Sequence, residues 1–149
     1  MYYKLLILFM CFGLLFNVAH AGEKYTITGD VSFQYDGDIY ICLCTSEKLA
    51  EFQRPGHELS QPQCKFIKMN SDLKKAGKVS FKLDSIPKGT YVIVAYQDVN
   101  KNKKVDFENY NMNEPWGTYK EGNPHGDSAI WGLVKFNLEK DIEGIEIQM

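Results

Sequence analysis

The stretch Gly89-Thr90-Tyr91-Val92-Ile93-Val94-Ala95-Tyr96-Gln97 decides the fold class. Its continuous apolar, β-branched and aromatic run is typical of a strand at the centre of a sheet. Ile86-Pro87-Lys88-Gly89 immediately before it is a turn signal. The composition becomes polar at Asp98, so the strand is expected to end there and to carry a loop at its end.

Strand patterns also occupy most of the chain on either side of this run. No segment keeps a helical apolar period over a long stretch, and the strongest helical candidate is Ser46 to Gln53, which Pro55-Gly56 would stop. Asp36-Gly37 is a tight-turn signal. Seven short strands joined by turns predict an all-β fold, an antiparallel β-sandwich. The predicted strands lie at 25–35, 39–44, 64–69, 78–83, 91–96, 131–138 and 142–147.

The segment Asp98-Val99-Asn100-Lys101-Asn102-Lys103-Lys104-Val105-Asp106 has the spacing of a calcium-binding loop. Oxygen-bearing side chains stand at loop positions one, three, five and nine, so that they can turn onto one hard cation. The aliphatic residue at position eight is expected to pin the loop to the core. The predicted calcium ligands are Asp98, Asn100, Asn102, the backbone carbonyl of Lys104, Asp106 and Asn109.

The loop departs from the usual calcium pattern at two positions. Lys103 stands at position six, where a glycine normally takes the left-handed turn. Asn109 at position twelve cannot supply the two oxygens of a glutamate, and Glu108 or Glu114 would substitute only if the chain folds back. Two carboxylates predict weak affinity, with a Kd of about 10⁻⁴ to 10⁻³ M. The alternative is a metal-free turn in which Asn and Asp bond the local backbone.

The segment 107–129 is long for a connection and is rich in aromatic and amide side chains. Tyr110, Trp116 and Tyr119 are therefore candidate ligand-binding residues, which would stack on sugar rings or peptide side chains while the amides bond hydroxyls. The alternative is that these aromatics cap the end of the sandwich and pack into it.

The first 21 residues have the pattern of a cleaved signal peptide. A lysine precedes the apolar run Leu5 to Val18, and Ala19-His20-Ala21 fits a small-x-small cleavage site. Residues 22–149 are then expected to form a single extracytoplasmic domain, periplasmic or secreted, without integral membrane association. The formal net charge of −2 argues against a nucleic-acid partner, which needs a basic face.

Three cysteines remain after residue 21, and an oxidising compartment favours a disulfide. A Cys44–Cys64 pair would close a loop of about 20 residues and stabilise the fold by roughly 3 kcal/mol. Cys42–Cys64 is the competing pair. One thiol is left over in either case.

The run Ile86 to Ala95, followed by Asp-x-Asn-x-Asn-x-x-x-Asp, resembles a family of secreted bacterial domains of unknown function. Those domains look like transthyretin-type or carboxypeptidase-regulatory-type β-sandwiches. Their loop is followed by a Gly-x-Pro-x-Glu-x-x-Gly stretch. The segment Glu114 to Gly122 contains similar residue types at a different spacing. The resemblance implies the fold and an exported location, and it implies no reaction.

No catalytic constellation is evident. His125, Asp127 and Ser128 are neighbours in sequence, whereas the members of a triad converge from separate segments. The sequence therefore predicts a non-catalytic module that binds an envelope glycan or protein. The alternatives are a secreted hydrolase using Asp106, Glu108 or Glu121, and a structural domain that forms oligomers.

Overall fold

The strands of this protein form two main sheets, which confirms the all-β prediction. The computed structural model describes residues 22–59, 64–108, 111–120 and 127–149. The predicted signal peptide lies outside the described residues. No described helix is long and apolar enough to cross a membrane. The elements are β1 (Lys24–Ser32), β2 (Asp38–Cys44), α1 (Ser46–Phe52), β3 (Cys64–Ile67), α2 (Ser71–Ala76), β4 (Lys78–Pro87), β5 (Gly89–Asp98), β6 (Phe107–Glu108), β7 (Asn111–Met112), β8 (Trp116–Thr118), α3 (Asp127–Val134), β9 (Phe136–Leu138) and β10 (Ile142–Gln148).

The first sheet has the order β10-β1-β4, and the second has the order β3-β2-β5-β8. The pairing of β1 with β10 is parallel, whereas β1 with β4 and all pairs of the second sheet are antiparallel. The start of β5 also pairs with β9. The short strands β6 and β7 pair only with each other. The central strand predicted from the apolar run is thus β5, which has β2 on one side and β8 and β9 on the other.

Both faces of the second sheet are buried, which explains why β5 reads as a continuous apolar run. Ile39, Ile41 and Ile93 pack between the two sheets. On the opposite face, Tyr40 and Tyr96 pack in a second cluster that helices α1 and α3 help to cover. The architecture is therefore sheet on sheet, with a helical layer outside the second sheet.

The two long sides of the sandwich differ. On one side, β8 and β10 approach so closely that a Cβ atom on Gly117 would lie 2.2 Å from the carbonyl oxygen of Gln148. On the other side, the edges of β3 and β4 face each other across a gap, which the Lys65 ammonium spans to reach the Lys82 carbonyl at 3.3 Å. The sandwich is closed along β8 and β10 and open along β3 and β4.

The helices correct part of the predicted strand pattern. The helix expected at Ser46 to Gln53 is confirmed, and the Thr45 hydroxyl caps it by accepting from the backbone N–H of Lys48 at 3.4 Å. The strand predicted over 131–138 is wrong in its first half, because α3 runs to Val134 and only Phe136–Leu138 is extended. The Asp36-Gly37 turn does not make a hairpin, since β1 and β2 belong to different sheets.

Candidate functional site

The loop after β5 begins with a carboxylate that is completely buried. Asp98 has 0% of its surface exposed. Its Oδ1 accepts the backbone N–H of Asn102 at 3.1 Å, and its Oδ2 accepts that of Lys103 at 2.8 Å. The first predicted calcium ligand therefore folds the loop back over its own carboxylate.

The side chains at loop positions three, five and nine meet at one point. The amide nitrogens of Asn100 and Asn102 donate to the same oxygen of Asp106, Oδ2, at 2.6 and 2.8 Å. Their Oδ1 atoms accept backbone N–H groups two residues further on, at 3.0 Å from Asn102 and 2.8 Å from Lys104. The structure thus brings Asn100, Asn102 and Asp106 together, whereas Asp98 bonds the backbone of the same loop and Asn109 lies outside the described residues.

The second half of the loop is fastened to the chain segment after α1. Val105 is 0% exposed, so position eight is anchored in the core as the spacing predicts. Its N–H donates to the His57 carbonyl at 2.9 Å, and its carbonyl accepts from Gly56 N–H at 3.1 Å. The Leu59 N–H also donates to the Lys103 carbonyl at 2.9 Å. These bonds give the loop a fixed backbone.

Lys103 adopts the left-handed conformation expected at position six, with φ of +62°. Lys101 does the same, with φ of +59°. A residue with a Cβ atom is destabilised by roughly 1 kcal/mol in the left-handed backbone conformation. The loop therefore holds two strained backbone positions, and the contacts of its neighbours must offset that cost.

Glu114 folds back onto this loop, as the sequence allowed. Only 9% of it is exposed. Its Oε1 accepts the backbone N–H groups of Val99 at 2.8 Å and Asn100 at 3.1 Å, and its Oε2 accepts from the Tyr96 hydroxyl. Glu114 bonds the loop backbone at its second and third positions.

Tyr96 is the residue of this site that the sequence reading missed. Its ring is fully buried on the helical side of β5, and its hydroxyl lies 3.3 Å from the Lys104 carbonyl and accepts the Asp106 N–H at 3.0 Å. Burial, and then the bond to Glu114, raise the pKa of Tyr96. The apolar run of β5 predicts that Tyr96 lies in a central strand, and nothing in the sequence indicates that its hydroxyl contacts both Glu114 and the end of the loop at Lys104 and Asp106.

The bend at Gly37 packs closely against the backbone at the start of the loop. A Cβ atom at this position would lie 2.7 Å from both the Asp98 carbonyl oxygen and the Val99 Cα. The buried Gln97 side chain holds the turn by donating to the Tyr35 carbonyl at 2.6 Å. Close backbone contact is thus the reason for glycine in the Asp36-Gly37 signal.

The donor set is one that suits a hard cation. Carboxylate and amide oxygens favour calcium or magnesium over zinc or copper. In the described part of the chain, no ion pair involves Asp98, Asp106 or Glu114. The described part of the chain contains no group of three or more His, Cys, Asp and Glu side chains arranged to hold a metal. An ion here would thus depend on asparagine oxygens, which must turn inward in place of the amide nitrogens.

An open depression of about 800 Å³ lies beside the loop. Tyr35 and Val99 present apolar surface there, with 56% and 37% of each exposed. The polar groups come from both the loop and the segment that folds back on it. The lining consists of Tyr35, Val99, Asn100, Asp106, Asn113, Glu114 and Pro115.

Two of the three predicted ligand-binding aromatics, Trp116 and Tyr119, pack against the core. Trp116 is half-buried and packs against the cluster that contains Tyr96. Tyr119 meets Phe136 edge to face, with ring centroids 5.4 Å apart. Tyr110 lies outside the described residues. The packing of Trp116 and Tyr119 is what the capping alternative expects, and their contact with a ligand stays a prediction.

The predicted Cys44–Cys64 disulfide is wrong. The bond joins Cys42 to Cys64, which lie directly opposite each other on β2 and β3 with Cα atoms 4.0 Å apart. Cys44 lies two residues further along β2, beyond the start of β3, so its Cβ is out of reach. It is a buried free thiol, and burial raises its pKa to about 12.

Comparison with known proteins gives a family without an assigned activity. No curated protein and no solved structure matches the chain. Residues 32–144, which include the second sheet, strand β4 and the loop after β5, match a family described as uncharacterized proteins conserved in bacteria, DUF2141. That match spans most of the chain, and the protein therefore belongs to this bacterial family of unknown function.

Proposed function

We propose that this protein is an exported, non-catalytic binding module that engages an envelope glycan, and that calcium organises the loop 98–106 beside the binding depression. The observation that carries the proposal is the convergence of Asn100 and Asn102 on Asp106, in a loop whose backbone is already fixed and folds over the Asp98 carboxylate. A fixed loop loses little entropy when an ion or a sugar binds to it.

The charge balance of the loop supports a cation. Asp98 is buried and Glu114 nearly so, and neither forms an ion pair with a described residue. Buried carboxylates are usually paired with cations, metals or several N–H donors. Here N–H donors alone serve Asp98, while Asp106 relies on two neutral amides. A calcium ion would supply the missing positive charge at Asp106.

The depression supports a hydroxyl-rich ligand. The exposed ring of Tyr35 offers a face for a sugar ring, and Asn100 and Asp106 offer a donor and an acceptor for hydroxyl groups. The volume of about 800 Å³ is sufficient for a short oligosaccharide. The depression is open, as a site for a chain-like ligand must be.

Thermal unfolding in calcium and in chelator tests the ion. At a Kd of about 10⁻⁴ to 10⁻³ M, 10 mM calcium stabilises the native state by about 1.4–2.7 kcal/mol, which raises Tm by several degrees. Asp106→Asn should abolish the rise, and the matched control Glu143→Gln, on an exposed strand position, should keep it. Equal Tm values with and without calcium would show that the loop is a metal-free turn.

Calorimetric titration with soluble envelope oligosaccharides tests the ligand. Tyr35→Ala should weaken binding about tenfold, because an aromatic contact contributes on the order of 1 kcal/mol or more. The exposed Phe66, on strand β3 away from the depression, provides the control Phe66→Ala. Binding that is lost equally in both variants, or absent from the parent protein, would refute a glycan at this depression.

A further inference from the structure

A groove between the edges of the two sheets forms a second cavity, away from the calcium loop. It lies on the open side of the sandwich and has a volume of about 560 Å³, which falls within the roughly 300–1,000 Å³ of ordinary ligand sites. Cys64 and Lys65 of β3 line one wall, and residues 82–87 of β4 line the other.

The floor of this groove is the place where the core between the sheets reaches the surface. Leu43, Leu83 and Tyr91 line it, and each is a partly buried residue that packs against the intersheet core. The buried side chain of Ile86 continues the same floor. Apolar surface in a concave site gains free energy when a ligand removes it from water. An unbranched alkyl chain fits such a floor, because it needs no hydrogen-bond partners.

The rim of the groove is positively charged. Among the described lining residues, Lys48, Lys65 and Lys82 stand against one carboxylate, Asp84. Lys82 pairs with Asp84 at 2.9 Å, and Lys48 pairs with Glu51 at 2.7 Å. Among the described residues, Lys65 has no carboxylate within ion-pair distance. Its ammonium, at the mouth of the groove, donates to the Lys82 carbonyl at 3.3 Å and has further N–H donors for an anionic ligand.

We propose that this groove binds a free long-chain carboxylate, with the alkyl chain over Leu43, Leu83 and Tyr91 and the carboxylate at the Lys65 ammonium. Charge complementarity selects the headgroup, and the exposed apolar floor selects the chain. The site is separate from the loop 98–106, since the two cavities have no described lining residue in common.

An added peptide strand is a poorer occupant of the same place. A strand that extends a sheet needs the outward carbonyl and N–H groups of the edge it joins. On β4, the Lys82 carbonyl already accepts from Lys65 Nζ. An added strand would therefore compete with Lys65 for the Lys82 carbonyl, whereas the apolar floor of the groove is open to an alkyl chain.

Titration of the purified, ¹⁵N-labelled protein with octanoate, decanoate and dodecanoate, each below its micelle concentration, tests this proposal. We expect saturable shifts of the amide resonances of Leu43, Lys65 and Leu83. Affinity should rise with chain length, by up to about fourfold for each fully buried methylene. Decyltrimethylammonium, which has a similar chain and the opposite charge, should bind at least tenfold more weakly than decanoate.

Charge reversal at Lys65 is the critical variant. Lys65→Glu should weaken decanoate binding roughly five- to tenfold. Lys68→Glu makes the same charge change at an exposed position just after β3, outside the groove, and should bind as the parent does. The proposal is overturned if no resonance shifts, if affinity ignores chain length, or if the two variants bind alike. Groove resonances that move with protein concentration alone would also overturn it, by showing that a second copy of the chain covers the groove.

Discussion

Replacing the nearly buried Glu114 with alanine should destabilise the protein, because the loop loses a hydrogen-bond acceptor for its backbone. The change removes the acceptor for the backbone N–H groups of Val99 at 2.8 Å and Asn100 at 3.1 Å. An N–H group left without a partner in a partly buried place costs about 1–3 kcal/mol. The Tyr96 hydroxyl loses less, because the Lys104 carbonyl at 3.3 Å remains as an acceptor. The expected loss is therefore about 2–4 kcal/mol.

Glu114→Gln separates the hydrogen bonds from the charge. The glutamine oxygen can still accept both loop N–H groups, so the expected loss is only about 1 kcal/mol. Urea unfolding followed by tryptophan fluorescence measures both variants, and hydrogen exchange should show faster exchange of the Val99 and Asn100 amides in Glu114→Ala alone. Glu143→Ala, at an exposed strand position, is the control and should change stability by less than about 0.5 kcal/mol.

Two results would refute this reasoning. A loss below about 1 kcal/mol in Glu114→Ala would mean that water replaces the carboxylate without cost at the two N–H groups. Equal losses in the alanine and glutamine variants would mean that the negative charge of Glu114, and not its acceptor geometry, holds the loop.

Three further outcomes are expected. Lys103→Gly should stabilise the protein by about 0.5–1 kcal/mol in urea unfolding, because φ is +62° there, whereas Lys104→Gly should not. Folding raises the pKa of Tyr96. The stability that the protonated hydroxyl of Tyr96 contributes is therefore complete below the ordinary tyrosine pKa of about 10, and it is lost as the pH rises above that value. Tyr96→Phe should therefore flatten the fall in stability between about pH 10 and 12. Cys44, with its pKa raised to about 12, should react with a thiol reagent at pH 8 only after unfolding, and a native-state reaction would contradict its burial.

The strand pattern was predictable where both faces of a strand meet apolar neighbours. The apolar residues of β5 and the two alternating faces of β2 indicated these strands, and they form the centre of the second sheet. The partner strands were not predictable, because pairing depends on residues far apart in the sequence. The Asp36-Gly37 signal shows the difference: the chain bends at residues 35–37, but the bend connects two sheets and does not form a hairpin.

Short helices were harder to predict, although α2 carried both of its end signals. Asn70 caps it by accepting the N–H groups of Asp72 and Leu73, and Gly77 ends it with φ of +63°. Its six residues are too few to show an apolar period. The start of α3 lies in the segment 107–129, whose amide and aromatic composition indicates a loop, and the end of α3 has a strand-like pattern.

The candidate site was predictable to the extent that it is local in sequence. The spacing from Asp98 to Asp106 determined which side chains converge. Tyr96 takes part in the site because its hydroxyl lies far enough from the sheet to contact the loop, and no residue spacing in the sequence predicts that contact. The cysteine pairing needed the register of β2 with β3, which places Cys64 opposite Cys42. A shift of two residues separated the correct pair from the predicted one.

The parallel pairing of β1 with β10 has a consequence for the order of folding. The backbone N–H of Thr26 donates to the Asp141 side chain across 115 residues of sequence, and the register continues from Ile27 and Ile142. The first strand therefore cannot complete its sheet until almost all of the following chain has been synthesised. Contacts of such long range slow folding, because closing the large loop costs entropy before any bond forms. The sheet that contains β1 is therefore completed late, after the strands of the second sheet have been synthesised.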